Sequence, residues 1–305
     1  MRIGFHGDAF ADLQRAVAGL LPDEEVGPIE ELGGADVLVP AKRSVDAADL
    51  DSFGPRLVQT VGAGYERVDV DAARERGIAV AHNPAGDTGN AAGVAEIALM
   101  HLLDLCRGGA AARAAVAEGR VGEPMGYGLE GRTITLLGVG GIGREVARRL
   151  RGFGVRVIGV GRRDRPDHAV AALLDSYETD LHAALEVSDD LILALPLSDA
   201  TRGIVGADEL AALRGGGFVV NVGRGPLLDY DALLTALRSG QVGGAGLDVF
   251  WTEPIDPDDP ILAENVSATP HIGGLTEAAW SDAAHRIAEN AARLRDGEEL
   301  RNRVV

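Results

Sequence analysis

The sequence predicts an α/β protein made of two doubly wound parallel-sheet domains. Three observations carry that prediction. The 305 residues exceed one small domain and suit two, each with enough interior to bury a core. Short β-branched or leucine-rich runs alternate with longer alanine-rich segments of helical spacing, the pattern of parallel strands joined by crossover helices. The alternation runs through the first third and starts again at Thr133.

In the first series, strands are expected at Arg2 to Phe5, Val37 to Val39, Leu57 to Val61 and Ile78 to Ala81. Helices are expected over Asp69 to Arg76 and, at greater length, over Ala92 to Arg107. The second series reads as strand Thr133 to Leu137, helix Ile142 to Phe153 and strand Val155 to Val160. Strands Leu191 to Ala194, Phe218 to Asn221 and Ala245 to Val249 follow, with helices in the gaps. The last amphipathic stretch, Thr276 to Arg295, precedes no strand of consequence and is expected to pack back on the first domain. The domain bounds expected are 1–95 with 282–305 for one domain and 96–281 for the other. There is no convincing repeat or low-complexity tail.

Composition excludes several classes of function. A hydrophobic content of 46% and a mean hydropathy of +0.05 fit a soluble globular chain. The longest apolar stretch, Val94 to Cys106, is broken by Glu96, His101 and Asp104 and is too short to cross a bilayer. The amino-terminal MRIGFHGDAF meets Asp8 and Asp12 before a signal-peptide core can develop, so a cytoplasmic protein is expected. Cys106, the sole cysteine, permits no intrachain disulfide or cysteine-rich metal site and reads as a small buried hydrophobe. None of the seven histidines falls in an HExxH spacing, and no metal is expected. With 29 basic and 47 acidic residues the net charge is 29 − 47 = −18, which disfavours nucleic acid and anionic lipid. Lys42 is the only lysine, so binding of an anion against that background falls to local arginines such as Arg162, Arg163 and Arg224.

Two glycine patterns compete for a phosphate-cradling turn: Gly126, Gly128 and Gly131 in GYGLEG, and Gly138, Gly140 and Gly143 in GVGGIG. Glycine fills 42 of 305 positions, so spacing cannot choose between them. Context can. A dinucleotide turn leaves the carboxyl end of a strand and opens a helix whose first amides face a pyrophosphate. Only the second match is preceded by a strand, TITLL, and followed by a helix, REVARRLRGF, and another strand, VRVIGV. Gly138, Gly140, Gly141, Ile142 and Gly143 are therefore the expected cofactor turn, and GYGLEG reads as a loop between domains. After VRVIGV, the place of the acid that holds an NAD ribose is taken by Gly161, with Arg162 and Arg163 next. Cations there suit a 2′-phosphate, so NADP(H) is the preferred cofactor and NAD(H) a possible one, through Asp164.

Arg224 in NVGRGPLLD, Glu253 in LDVFWTEP and His271 in TPHIGG follow that turn in order. An arginine grips a carboxylate with two parallel hydrogen bonds, and a histidine passes a proton near neutral pH. A neighbouring glutamate favours the charged imidazole. Together these groups suit carbonyl reduction by a nicotinamide. Taken singly each has an ordinary reading: a turn cap, a solvated acid, a loop histidine.

These segments, with VGAGYERVDVDAARERGIAV, NAAGVAE, LPLSDATRG, NVGRGPLLDYDALLTAL and GAGLDVFWTEP, resemble the D-isomer-specific 2-hydroxyacid dehydrogenase family in order and over nearly the whole length. In character they are nearest its NADPH-using glyoxylate and hydroxypyruvate reductases. The resemblance implies a Rossmann cofactor domain inserted in a flavodoxin-like substrate domain, and hydride transfer between NADPH and a small 2-keto or D-2-hydroxy acid. It makes His271 the acid/base, Glu253 its ionic partner, and Arg224 the group that binds the substrate carboxylate and polarises its carbonyl. It places Asp248 near the nicotinamide carboxamide and Leu195 and Pro196 on the adenine side. Val222, Gly223, Gly273 and Gly274 join Arg224 and His271 around the cofactor. In the first domain it implies that the amides of Ala63 and Gly64 hold the substrate carboxylate, with Asn90 nearby.

Four positions bear on the choice within the family. Glu66 and Ile97 depart from the aspartate and histidine common at those places. Glu253 argues against formate oxidation, where relatives carry glutamine, and Ala63 against phosphite oxidation, where they carry lysine. The alternatives kept open are a non-catalytic dinucleotide-binding redox sensor and a dehydrogenase for another small acid such as phosphoglycerate. A homodimer, with the segment from Leu99 to Gly131 against the partner, and domain closure over ligand are likewise implied by the resemblance.

Overall fold

A computed structural model describes residues 1–7 and 9–305; Asp8, used above in reading the amino terminus, lies outside the described residues. The chain divides into two compact units, Met1–Asn90 with Gly274–Val305, and Ala91–Gly273. The division falls at the start of the helix Asn90–Cys106 and in the turn after His271, a few residues before the cuts drawn from sequence.

The first unit is a five-stranded parallel sheet of β1 (Arg2–His6), β2 (Glu25–Pro28), β3 (Val37–Pro40), β4 (Leu57–Gln59) and β5 (Ala79–Ala81), in the order β2-β1-β3-β4-β5. Alternate residues of each strand supply two cores. Ile3, Phe5, Val37, Val39 and Leu57 meet Leu13 and Val17 of the helix Ala11–Leu20 and Ala283, Ala284, Ile287 and Ala291 of the helix Glu277–Asp296. On the other face Leu38, Val58 and Val80 meet Ile29, Leu50, Ala72 and Ala73. Burial on both faces is why these strands read as unbroken apolar runs. The carboxy-terminal helix packs in this unit as expected, with the Trp280 ring edge-on to Phe10 at 4.9 Å. It opens on the Thr276 side chain, which accepts from the Ala279 amide, and closes on Gly297 in the left-handed conformation.

The second unit is a seven-stranded parallel sheet of β6 (Thr133–Leu137), β7 (Arg156–Val160), β8 (Ser176–Glu178), β9 (Asp190–Leu193), β10 (Gly217–Asn221), β11 (Val242–Leu247) and β12 (Val266–Ala268). Their order is β12-β11-β10-β9-β6-β7-β8. The chain starts in the middle, runs to one edge through β8, then returns to fill the other side. The direction in which successive strands are added thus reverses between β6 and β9, the place where an open α/β sheet leaves a crevice at the carboxyl ends of its strands. Glycines flatten β11 for the helix Asn90–Cys106. A Cβ at Gly244 would stand 2.8 Å from Leu105, and one at Gly246 would stand 2.5 Å from the Cβ of His101.

Three strands escape the sequence reading, β2, β8 and β12, and all three are sheet edges. GYGLEG is not a connection between the units: it lies inside the second, where the Tyr127 amide donates to Cys106 O at 2.7 Å before the chain enters β6. Among the described residues no helix is long and apolar enough to cross a membrane, and no group of three or more His, Cys, Asp or Glu is placed to hold a metal ion.

Candidate active site

The turn after β6 satisfies three separate steric demands. Gly138, at φ 98°, presses on the backbone of Ala194 after β9, where a Cβ would come within 2.8 Å of the carbonyl. Gly143 lies so close to Gly138 that a Cβ would stand 2.0 Å from its oxygen, so only glycine lets the helix Gly141–Leu150 start this near the strand. A Cβ on Gly140 would meet nothing within 4 Å, so the backbone there is open to a ligand. These are the tight turn, the close helix–strand packing and the ligand approach that a pyrophosphate turn needs. The helix has no side-chain cap, whereas those beginning after Asp46, Asp69, Asp229 and Thr276 have one. Its first amides point where an anion would sit. The residues present fit a dinucleotide. Leu195 and Pro196 leave β9 on the other side of the same switch point.

The end of β7 bears on the ribose. Arg162 and Arg163 are exposed just beyond Val160. A Cβ on Gly161 would stand 2.7 Å from the Tyr177 hydroxyl, which is held by donating to Arg163 O at 2.8 Å. No acidic side chain fits at Gly161 without displacing that tyrosine.

Arg224, Glu253 and His271 follow β10, β11 and β12, three neighbouring strands. Val222 and Gly223 link β10 to Arg224, and both are buried. The glycines around Arg224 clamp its backbone: a Cβ on Gly223 would stand 2.7 Å from Leu195 O, and one on Gly225 2.1 Å from the Phe250 backbone. Asn221 adds a bracket, accepting from the Gly223 amide at 3.0 Å and donating to Arg224 O at 2.8 Å. The Arg224 guanidinium donates from Nη1 to Gly223 O at 2.7 Å.

His271 Nδ1 lies 2.9 and 3.1 Å from the two Glu253 oxygens. A carboxylate only accepts, so Nδ1 carries the proton in that pair and the ring exchanges its other proton at Nε2. Glu253 is itself held by the Phe250 amide, 3.2 Å from Oε1. The imidazole is 41% exposed and the glutamate 22%, enough access for a reactant to reach the ring. His271 has a φ of 55°, a left-handed conformation uncommon outside glycine, kept by the bonds on either side of it. Its own amide donates to Thr269 O at 2.9 Å.

Asp248, 2% exposed, is what holds the far side of that loop. Oδ1 accepts from the Ile272 amide at 2.9 Å and the Thr269 hydroxyl at 2.6 Å, and Oδ2 from the Gly273 amide at 2.9 Å. A carboxylate has room for about four such bonds, so one further donor can be accepted there. Thr269 was missed in the sequence reading, and its only signal was a hydroxyl residue opening TPHIGG. Gly273 fits against Val94 and Asp248, where a Cβ would have contacts of 3.2 and 2.8 Å.

Two expected residues belong to the first unit's loops. His82 Nδ1 donates to Ala63 O at 2.9 Å, and Gly62 O accepts from the Asn83 amide and the Thr60 hydroxyl, each at 3.0 Å. A trans peptide points its N–H opposite to its C=O, so these bonds turn the amides of Ala63 and Gly64 away from β5. Asn90, at the start of its helix, lies against Gly274, where a Cβ would stand 2.5 Å from its Oδ1.

Comparison with known proteins gives the family. The model of the D-isomer specific 2-hydroxyacid dehydrogenase, NAD binding domain, matches residues 99–273. A glyoxylate reductase of Korarchaeum cryptofilum is 35% identical over 279 residues, covering 88% of this chain and 82% of that protein. A glyoxylate/hydroxypyruvate reductase B of Yersinia pestis is 33% identical over 267 residues, covering 85% and 80%. A crystal structure of a protein from Thermus thermophilus superposes over 100% of both chains with a TM-score of 0.87 and 30% identity. With a dinucleotide turn at the switch point of a Rossmann-type sheet, the chain belongs to the D-isomer specific 2-hydroxyacid dehydrogenase family and is a nicotinamide-dinucleotide-dependent oxidoreductase.

Proposed function

We propose that the chain reduces a small 2-keto acid of the glyoxylate or hydroxypyruvate type with NADPH. The observation that carries this reading is the His271–Glu253 pair, 2.9 Å apart, in the loops that follow β12 and β11, with Arg224 in the loop that follows the next strand, β10. A bound reduced nicotinamide supplies a hydride. Arg224 grips the substrate carboxylate and lends positive charge to the carbonyl oxygen as negative charge develops there. His271 gives its Nε2 proton to that oxygen, and Glu253 accepts from Nδ1 and fixes the orientation of the ring. The Ala63 and Gly64 amides offer donors to an anion, and Asn90 is a further substrate-side residue. The Asp248 carboxylate has capacity for a carboxamide N–H beside Gly273 and Gly274.

The NADPH preference rests on Arg162, Arg163 and the glycine at 161, where a Cβ would stand 2.7 Å from the Tyr177 hydroxyl. Arg162→Ala with Arg163→Ala is expected to raise the KM for NADPH and leave that for NADH little changed; equal effects on both would sink the preference. We also propose a cytoplasmic homodimer. Val116, Val121, Met125 and Tyr127 are 79%, 96%, 98% and 63% exposed, apolar side chains gathered in the segment from Leu99 to Gly131. Sedimentation would detect a monomer.

The activity test is NADPH oxidation with glyoxylate, hydroxypyruvate and pyruvate by the native chain, His271→Ala and Arg224→Ala. Unchanged turnover in both variants overturns the assigned roles. Cofactor binding with no turnover on any keto acid favours a redox sensor instead.

A further inference from the structure

His101 stands alone as a polar group in the buried face of the helix Asn90–Cys106, between Ala98, Leu102 and Leu105. It is 0% exposed. Its Nδ1 lies 3.0 Å from the Ser267 hydroxyl and its Nε2 3.0 Å from the Thr269 hydroxyl, both just beyond or within β12. The room for the ring comes from Gly246, where any side chain would collide with it.

The direction of this chain of bonds is fixed from its far end. Both oxygens of Asp248 accept backbone amides, so the 2.6 Å contact with Thr269 has the hydroxyl donating its single proton to Oδ1. Thr269 Oγ1 can then only accept from His101, which puts a proton on Nε2. In the neutral ring Nδ1 is left to accept from Ser267. Every donor faces an acceptor from Ser267 through His101 and Thr269 to Asp248, an arrangement in which each bond polarises the next. Burial pushes the His101 pKa down, which keeps the ring in the neutral form this order needs.

We infer that His101 is a positioning residue for the loop that carries His271, acting through Thr269 and Asp248. It orients the Thr269 hydroxyl toward Asp248, and Asp248 in turn fixes the Ile272 and Gly273 amides that follow His271. The sequence signal was a histidine interrupting an apolar helical stretch. The inference rests on the proton-transfer role proposed for His271, and the test separates the two.

His101→Leu and Thr269→Val remove the donor and the relay without adding bulk. Each is expected to lower kcat for glyoxylate about 10- to 100-fold, the scale of a slightly misplaced reacting group, with KM little changed. Amide exchange at Ile272 and Gly273, followed by mass spectrometry, is expected to speed up in both. His101→Gln keeps a side-chain N–H donor, and Thr269→Ser keeps the hydroxyl; both are expected to recover most of kcat and of amide protection. His271→Ala is expected to lose turnover while its loop amides stay protected. Turnover retained in His271→Ala sinks the proton-transfer reading. Native exchange at Ile272 and Gly273 in His101→Leu, or a His101→Gln variant as impaired as His101→Leu, overturns the positioning role.

Discussion

Two histidines of the second unit put one side chain to opposite uses. His271 is 41% exposed, binds a carboxylate through one nitrogen and leaves the other accessible. His101 is wholly buried, with a hydroxyl at each nitrogen and no access to a reactant. An imidazole beside a carboxylate and open to solvent exchanges protons. One sealed between hydroxyls cannot, and works as a fixed hydrogen-bond bracket. Surroundings, more than residue type, separate the two roles, so each variant should fail in its own way.

The largest expected effect is on the exposed one. His271→Ala should lower kcat about 100- to 10,000-fold, the usual worth of a positioned acid/base. Its stability should stay within about 0.5 kcal/mol of native, because little packing is lost at a half-exposed site. Rates of NADPH oxidation and urea midpoints check both halves. His101→Leu should do the reverse in proportion: a smaller kinetic loss, but destabilisation of about 1–3 kcal/mol as buried hydroxyls lose their partner. Equal midpoints for the two variants would erase the contrast.

Much of this was legible in the sequence, and the omissions have a common physical cause. β1, β3, β6, β9 and β10 lie inside their sheets, covered on both faces, and so appear as continuous apolar runs. β2, β8 and β12 pair on one side only, are three or four residues long and include Glu25, Ser176, Glu178 and Ser267, which breaks the apolar signal. β5 is also an edge and was legible, because the Val304 amide donates to Val80 O at 2.7 Å and the carboxy-terminal tail covers it. Glu253 and His271 were read as partners from their distinctive segments, and the structure pairs them. His101, Thr269 and Ser267 form their chain only when the helix Asn90–Cys106 is laid on β11 and β12, a juxtaposition that spacing does not encode.

pH offers a finer separation. Burial lowers the His101 pKa from its ordinary 6.5, an effect only partly offset by the charges of Asp248 and Asp104. Between that lowered value and 6.5 the unfolded chain binds a proton that the folded chain does not, so stability rises with pH there. The contribution is complete above pH 6.5 and is lost as the pH falls below it. Urea midpoints measured from pH 7.5 down to about 5.5 should decline in the native chain and decline less in His101→Gln, which has nothing to titrate. Parallel declines would assign the acid sensitivity to other groups.

The smallest effect decides whether damage at His101 stays local. Cys106 ends the same helix, and burial, with the Asp190 charge adding, pushes its thiol up to about 11. At pH 8 the difference is 11 − 8 = 3 units, so about one thiol in a thousand is the reactive thiolate, and closure of the site slows reagents further. Native protein should therefore react with a thiol reagent far more slowly than protein unfolded in urea. If His101 brackets the His271 loop and little else, His101→Leu should label at Cys106 as slowly as the native chain even while Ile272 and Gly273 exchange faster. Rapid labelling would mean that the helix has lifted from β11, and the kinetic loss in that variant would then reflect a displaced helix, with no bracket needed to explain it.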